Sequence, residues 1–325
     1  MTEPHDPDAG QGCPGRRRPF PGRQGWTRVA LAVLVLLLVT AGADVALLAG
    51  RVDEVAVDLA ADDSDGRTWV LVGLDSRDRL PAGADPADFG TPDDVPGTRA
   101  DVVLVVHQTD AGTRVLSVPR DLLVLQDGRP TRLTLTWRDG PRATVDALCS
   151  IGIDADHLVA VDFAGFAEVV DAAGGLTVDV PVPVRDPGAG LDLPQAGVQH
   201  VDGRTALALV RSRHPQHLVD GVWTPVPMDP EGRASAAGTV LRALVDAVRG
   251  SVVRPWRSQS VGWATTGALT VDAGTSVADL AALAGADLST VEVVPSDLRD
   301  SAVPVALPTA GTRAAIEEAG LSCDG

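Results

Sequence analysis

The residues in this sequence best equipped for chemistry are three aspartates and a set of arginines at the ends of apolar segments. Asp75, Ser76 and Arg77 follow the run WVLVGL from Trp69, Arg99 and Asp101 flank the start of ADVVLVVHQ, and Arg120-Asp121 follow TRVLSVP. Carboxylates held close together repel unless a cation or an arginine separates them. A hard divalent ion such as Mg²⁺ takes one or two carboxylates and completes its shell with phosphate oxygens. Arginine clamps the remaining phosphate oxygens in a bidentate fashion that lysine cannot match. One reading is therefore a site for a divalent cation and a phosphorylated ligand, and the other is a frame of surface ion pairs around a hairpin. Arg211-Ser212-Arg213 form a second arginine pair. They read either as part of the same clamp or as cations complementing the C-terminal end of a helix dipole.

These side chains meet only if the elements between them pair suitably. Residues 69–75 are a short continuous apolar run, as in a buried strand. Residues 100–108 and 113–119 flank Thr109-Asp110-Ala111-Gly112, which has the turn chemistry of a β-hairpin. With the turn centred near Ala111, paired positions sum to about 222, so Asp101 is expected to face Asp121 at the open end, where opposed Cβ atoms lie about 5 Å apart. Downstream, 141–153 reads as helix, 157–162 as strand, and 163–175 as a helix that Gly174 and Gly175 terminate. Residues 176–184 read as a strand whose prolines place it at an edge or near its end, and 203–214 and 232–250 as helices, the first ending in Arg211 and Arg213. Strands alternating with helices predict an α/β fold. From residue 251 onward the strand and helix signals are weak.

The chain of 325 residues has a net charge of −17 and no Lys or Tyr. Residues 1–28 hold five Arg against Glu3, Asp6 and Asp8, which leaves that stretch at +2 and the remainder at −19. So acidic a domain repels nucleic acid as a whole, and an anionic ligand must be held by a local arginine cluster. Residues 29–43 carry no charge, and after Asp44 the apolar run resumes to Ala49, giving about 20 residues, the length of a membrane span. The reading taken is a single-pass anchor over 29–49 with its Arg-rich end, 1–28, in the cytoplasm. A cleaved signal peptide is the alternative, kept open by Thr40, Gly42 and Ala43. Either exports the rest: an acidic spacer over 50–66, one domain over 67–318 and a short tail, 319–325. In an oxidising compartment Cys149 and Cys323 could pair; otherwise they are two free cysteines, one in a helix and one on the tail.

The ordered strings GLDSRD (73–78), TRADVVLVV (98–106), VLSVPRDLLV (115–124), VDFAGFAEVVDAAGGLTVDVP (161–181) and VDGRTALALVRSRH (201–214) resemble the successive motifs of the LytR-CpsA-Psr family. The resemblance implies a three-layer α/β domain with a mixed central sheet flanked by helices, held outside the cell behind one transmembrane helix. It implies an enzyme that moves a glycopolymer from polyprenyl pyrophosphate to peptidoglycan. Carried over by position, Asp75 and Asp101 match Mg²⁺-associated acids, and Arg99, Arg120, Arg211 and Arg213 match pyrophosphate-contacting arginines, with Arg233, Arg77 and Arg132 as further phosphate contacts. Asp121, in Ser-Val-Pro-Arg-Asp, is either a base for the acceptor hydroxyl or the orienter of Arg120. The lipid tail would lie in an apolar tunnel bounded by the helices at 141–153 and 163–173.

Three departures stand out. Ala236 and Ala237 occupy positions where the resemblance leads one to expect Arg and Gln, although Gly232 and Arg233 are kept. Arg132-Leu133-Thr134 replace a Lys-Ile-Asn triplet. The linker between Arg213 and Arg233 is long, and Trp223 with its prolines suggests an ordered flap or a partner contact. These changes support an alternative, a catalytically weakened homologue that binds polyprenyl phosphate or a sibling enzyme and organises wall assembly.

Overall fold

The computed structural model describes residues 39–323 except 41, 58, 60–65, 85–96, 227–229, 252, 289 and 300–303, and only the backbone of 230–234. Two units divide the chain, Met1–Leu47 and Leu48–Gly325. In the first, residues 42–47 are helical. Most of the expected membrane segment lies outside the described residues, and among those described no helix is long and apolar enough to cross a membrane.

The second unit is built on a mixed sheet whose strands are β1 (Asp53–Val55), β2 (Arg67–Asp75), β3 (Arg99–Thr109), β4 (Gly112–Val118), β7 (His157–Asp162), β14 (Leu269–Asp272) and β15 (Val291–Val293), in the order β1-β14-β7-β2-β3-β4-β15. Val-rich strands suit this position, because branched side chains pack well on a pleated surface buried on both sides. Within the stretch read as a spacer, Asp53–Val55 joins the sheet edge, parallel to β14. The antiparallel β2-β3-β4 meander puts the ends of β2 and β4 and the start of β3 at one margin, the one that carries Asp75, Asp101 and Arg120.

The hairpin register differs from expectation by one residue. Thr109 pairs with Gly112 and Val103 with Val118, so paired positions sum to 221 because the loop is the two residues Asp110-Ala111. The ladder ends at Val118, and Asp121 is not opposite Asp101; extended by the same count, the partner of Asp101 is Arg120. A strand slip of one residue exchanges every neighbour. Here it exchanges a carboxylate for a guanidinium.

One face of the sheet packs on helix α2 (Pro141–Cys149), through Val145 and Leu148 against Val70, Val72, Val103 and Leu116. The same cluster takes in Ile316 of α8 (Ala310–Glu318). The opposite face meets α3 (Phe163–Ala173), α5 (Pro230–Ser251) and α7 (Val277–Gly285), with α4 (Gly203–Arg211) and α6 (Pro255–Ala268) packed alongside α3. Local signals fix these helices. The Asp162 carboxylate caps α3 by accepting from Gly165 N at 2.6 Å, Gly174 ends it at φ 90°, and Asp202 caps α4 by accepting from Thr205 N.

The expected strand 176–184 breaks at Pro181-Val182-Pro183, giving β8 (Leu176–Val180) and β9 (Val184–Asp186), which sit in different small sheets. Within the long linker, residues 216–225 form a hairpin, β12 (Gln216–Val219) and β13 (Val222–Pro225), with the Arg185 guanidinium 4.6 Å over the Trp223 ring. Cys149 and Cys323 form a disulfide.

Candidate active site

Asp75 ends β2 with a nearly buried side chain, and its carboxylate meets Arg77 Nε at 3.3 Å and Arg99 Nη2 at 3.6 Å. Asp101, near the start of β3, accepts from Arg120 Nη1 at 2.9 Å, Arg213 Nη2 at 2.6 Å and Thr134 Oγ1 at 3.2 Å. Asp121 is buried just beyond β4, where its two carboxylate oxygens meet Arg120 Nε at 3.4 Å and Arg132 Nη1 at 3.3 Å. Arg120 is thus held from two sides by two carboxylates. The backbone reinforces this arrangement, because Arg120 O accepts from Thr134 N and Leu122 O from Leu133 N. The Arg132-Leu133-Thr134 triplet therefore remains part of the site: its ends contact Asp121 and Asp101, and Leu133 is fully buried between them.

Arg211 and Arg213 do not share a helical turn. Helix α4 ends at Arg211, Ser212 turns to ψ 128°, and Arg213 lies beyond the helix. Asp186, at the end of β9, enforces this turn. One of its carboxylate oxygens accepts from Ser212 Oγ, Arg213 N and His214 N, each at 2.8 Å, and the other from Gly188 N at 3.1 Å. Burial alone would raise the Asp186 pKa, but the hydrogen bonds from His214, Ser212, Arg213 and Gly188 outweigh it and hold the carboxyl below its ordinary value. Asp186 was not among the residues singled out from the sequence. Its partners on the Arg213 loop are 26 to 28 residues away, and the only local sign was the Asp-Pro-Gly turn that brings Gly188 N to it.

Arg211 is partly buried at the end of α4. Burial lowers the pKa of its guanidinium, Asp75 and Asp101 oppose that shift, and Arg213 and Arg77 add to it. Its Cζ lies 5.1 Å from the Phe163 ring. Six arginines, at 77, 99, 120, 132, 211 and 213, thus share one network with three aspartates, at 75, 101 and 121, a local surplus of three positive charges. Arg99 Nε is buried and donates to nothing among the described residues. The side chain of Arg233 lies outside the described residues.

Two cavities adjoin the cluster. A cleft of about 90 Å³ is lined by Asp101, Arg120, Arg211 and Arg213. An apolar cavity of about 330 Å³ lies between the sheet and helices α3, α4, α5 and α7. Val102, Phe163, Val210 and Ala237 line both. Helix α3 walls the apolar cavity as expected, but α2 does not, because it packs on the opposite face of the sheet. Ala237 stands at the junction, where it contributes only a methyl group.

Chemically, this arrangement suits an amphiphile with a doubly charged phosphate head and a long apolar tail. Among the described residues no group of three or more His, Cys, Asp or Glu could cage a metal. A cation held by one or two carboxylates and by the phosphate oxygens of a ligand would take Asp75 and Asp101 in exchange for their contacts with Arg77, Arg99, Arg120 and Arg213.

The matching family model is that of the LytR_cpsA_psr family, over residues 42–221. The chain belongs to this family. The LytR-Csp2A-Psr enzyme from Actinomyces oris has 33% identity and a TM-score of 0.68, covering 84% of this chain and 97% of that one. Among curated proteins, the probable cell wall biosynthesis protein LcpB of Corynebacterium glutamicum is 34% identical over 191 residues, which is 57% of this chain and 44% of LcpB. The polyisoprenyl-teichoic acid–peptidoglycan teichoic acid transferase TagU of Halalkalibacterium halodurans is 30% identical over 132 residues, 39% of this chain and 38% of TagU. The matched parts thus span less than half the length of these curated relatives. The LytR_cpsA_psr match covers Asp75, Asp101, Arg120 and Arg211 together with Asp186, but ends before α5 and Ala237.

Proposed function

We propose that this LytR_cpsA_psr protein is a phosphotransferase that moves a polyprenyl-pyrophosphate-linked glycopolymer onto peptidoglycan and releases the prenyl phosphate carrier. The observation that carries this reading is the junction of an arginine cluster with an apolar cavity at Val102, Phe163, Val210 and Ala237. A relative named as a teichoic acid–peptidoglycan transferase agrees with it. The Cys149–Cys323 disulfide suits an oxidising, extracytoplasmic location behind a membrane anchor.

In this account an acceptor hydroxyl of peptidoglycan attacks the phosphorus that bears the glycan. A new P–O bond forms, the bridging P–O bond of the pyrophosphate breaks, and the electron pair leaves with the prenyl phosphate. The hydroxyl proton passes to a phosphate oxygen or to solvent. Arg99, Arg120, Arg211 and Arg213 stabilise the charge that develops on the leaving phosphate, so positioning and electrostatics supply most of the rate. Asp75 and Asp101 would hold Mg²⁺, which when bound neutralises part of the pyrophosphate charge. Asp121 serves as the orienter of Arg120 rather than as a base, because both of its oxygens face arginines. Arg77 and Arg132 keep Asp75 and Asp121 ionised and in place.

The test is incubation of the full chain with a polyprenyl-pyrophosphate-linked glycan, peptidoglycan and Mg²⁺. Wall-linked glycan and prenyl monophosphate should accumulate together. Binding of the donor without release of prenyl phosphate would instead favour the organiser reading, for which Ala236 and Ala237 speak.

A further inference from the structure

Helix α6 presents an edge of the second unit that the site does not use. Trp256 is 72% exposed, Trp263 is 51% exposed and Val253, just before the helix, is 81% exposed. The two tryptophans are seven residues and so about two turns apart, which puts them on one face of the helix. Arg254 is exposed beside them, while the guanidinium of Arg257 is turned onto Gly174 at the end of α3. Large aromatic residues this open to water are uncommon on a soluble surface and are enriched where protein meets the lipid headgroup layer.

Two further observations say what this edge faces. The chain that leaves the apolar run of 29–49 packs on the same helix. Leu48 lies against Gly262, where an added Cβ would stand 3.4 Å from its Cδ1, and the Arg51 guanidinium sits 3.6 Å over the Trp263 ring. Arg51 also reaches Gly267, where an added Cβ would stand 2.6 Å from Nη2, so the guanidinium lies directly on the helix. The edge also adjoins the end of the apolar cavity remote from the arginines. Along α5 the cavity lining runs from Ala237, at the charged cleft, to Val248, a rise of about 16 Å. Val253 and Trp256 follow directly, while Thr265 of α6 lines the cavity on the inner side of that helix.

We propose that Val253, Trp256 and Trp263, with Arg51 and Arg254, form a surface that seats on a lipid bilayer, holding the far end of the apolar cavity at the membrane. Basic side chains there attract anionic headgroups against the charge of an otherwise acidic domain. The anchor then tethers the protein, and this second contact sets its orientation. The inference rests on reading 29–49 as a membrane segment and the cavity as the seat of a lipid tail.

The experiment uses the full chain carrying Trp26→Phe, since Trp26 precedes the apolar run and would itself report on lipid. The protein is placed in phosphatidylcholine and phosphatidylglycerol vesicles whose acyl chains are brominated near the headgroup, with no glycan donor present. Tryptophan emission should be quenched relative to unbrominated vesicles. Trp256→Phe and Trp263→Phe should each remove part of the quenched signal, and together all of it. Emission equally bright in both vesicles would overturn the proposal, as would quenching that survives the double substitution. A loss of dimer in detergent on Trp256→Ser would overturn it too, by assigning the edge to a second copy. Resistance to an alkaline carbonate wash, measured afterwards, reports on the anchor alone, and transfer assays report on the chemistry alone.

Discussion

The charged cleft and the apolar cavity are adjacent, but the chain builds them in opposite ways. The charged network around the cleft is assembled mainly from short motifs at strand ends: Asp75-Ser76-Arg77 at the end of β2, Arg99-Ala100-Asp101 at the start of β3 and Arg120-Asp121 after β4. Each carries its chemistry within three residues. The cavity draws on many elements, with Leu71 from β2, Val161 from β7 and Phe166 from α3 among them, and its longest contribution is the apolar stripe of α5 from Ala237 to Val248, which carries no reactive group. Polar function concentrates in sequence because a guanidinium and a carboxylate specify each other at contact distance. Apolar function spreads because hydrocarbon surface is interchangeable and only the sum of the lining counts.

This contrast predicts unequal sensitivity to substitution. Arg120→Ala should have the largest effect. It removes a cation held between Asp101 and Asp121 and should lower turnover by about 100- to 1000-fold, the loss typical of one oxyanion-stabilising donor. A variant with wild-type product release and an unchanged fold by circular dichroism would break the comparison on the polar side. Ala237→Phe narrows the junction and should weaken prenyl carrier binding by about tenfold, in line with about 1–3 kcal/mol for overpacking. Titration with inorganic pyrophosphate should show no change in that variant, which separates the tail site from the head site.

Asp186→Asn should lower turnover several-fold by loosening the loop that aims Arg213, and should cost about 1–3 kcal/mol of stability, because the charged acceptor of buried N–H groups is replaced by a neutral one. Its pH dependence has a definite sign. The folded-state pKa lies below the ordinary 3.8, so the stabilisation is fully present above 3.8 and is lost as the pH falls through the lower folded value. Acid unfolding followed by fluorescence should therefore show a midpoint shifted to higher pH in Asp186→Asn. The smallest effect on turnover belongs to the disulfide, which ties α2 to the C-terminal tail on the face away from the cavity. Reduction should lower thermal stability by about 2–5 kcal/mol while leaving transfer at moderate temperature unchanged.

What could be read from the sequence follows the same division. Strand ends and the glycine stop at Gly174 are local and were legible, and the caps at Asp162 and Asp202, though equally local, were not read. The partner of Asp101 was not legible, because a two-residue loop and a three-residue loop leave nearly the same string and differ by one step in register. Arg213 was read into the helix because nothing near it in sequence announces Asp186. The helix 141–153 was given to the tunnel because an amphipathic helix shows that it has an apolar face without showing which side of the sheet it covers. The weak signals after residue 251 hide β14 and β15, two strands of the central sheet whose three or four residues are too few to show a period.

The central claim is that the cleft and the cavity are one site for one amphiphile. It is tested most directly by comparing, on the full chain with Mg²⁺ present, the binding of farnesyl pyrophosphate, inorganic pyrophosphate and farnesol. The account predicts that farnesyl pyrophosphate binds far more tightly than either fragment, that both fragments displace it, and that Arg120→Ala and Ala237→Phe each weaken it. Equal affinity for farnesyl and inorganic pyrophosphate, with no competition from farnesol, would contradict it.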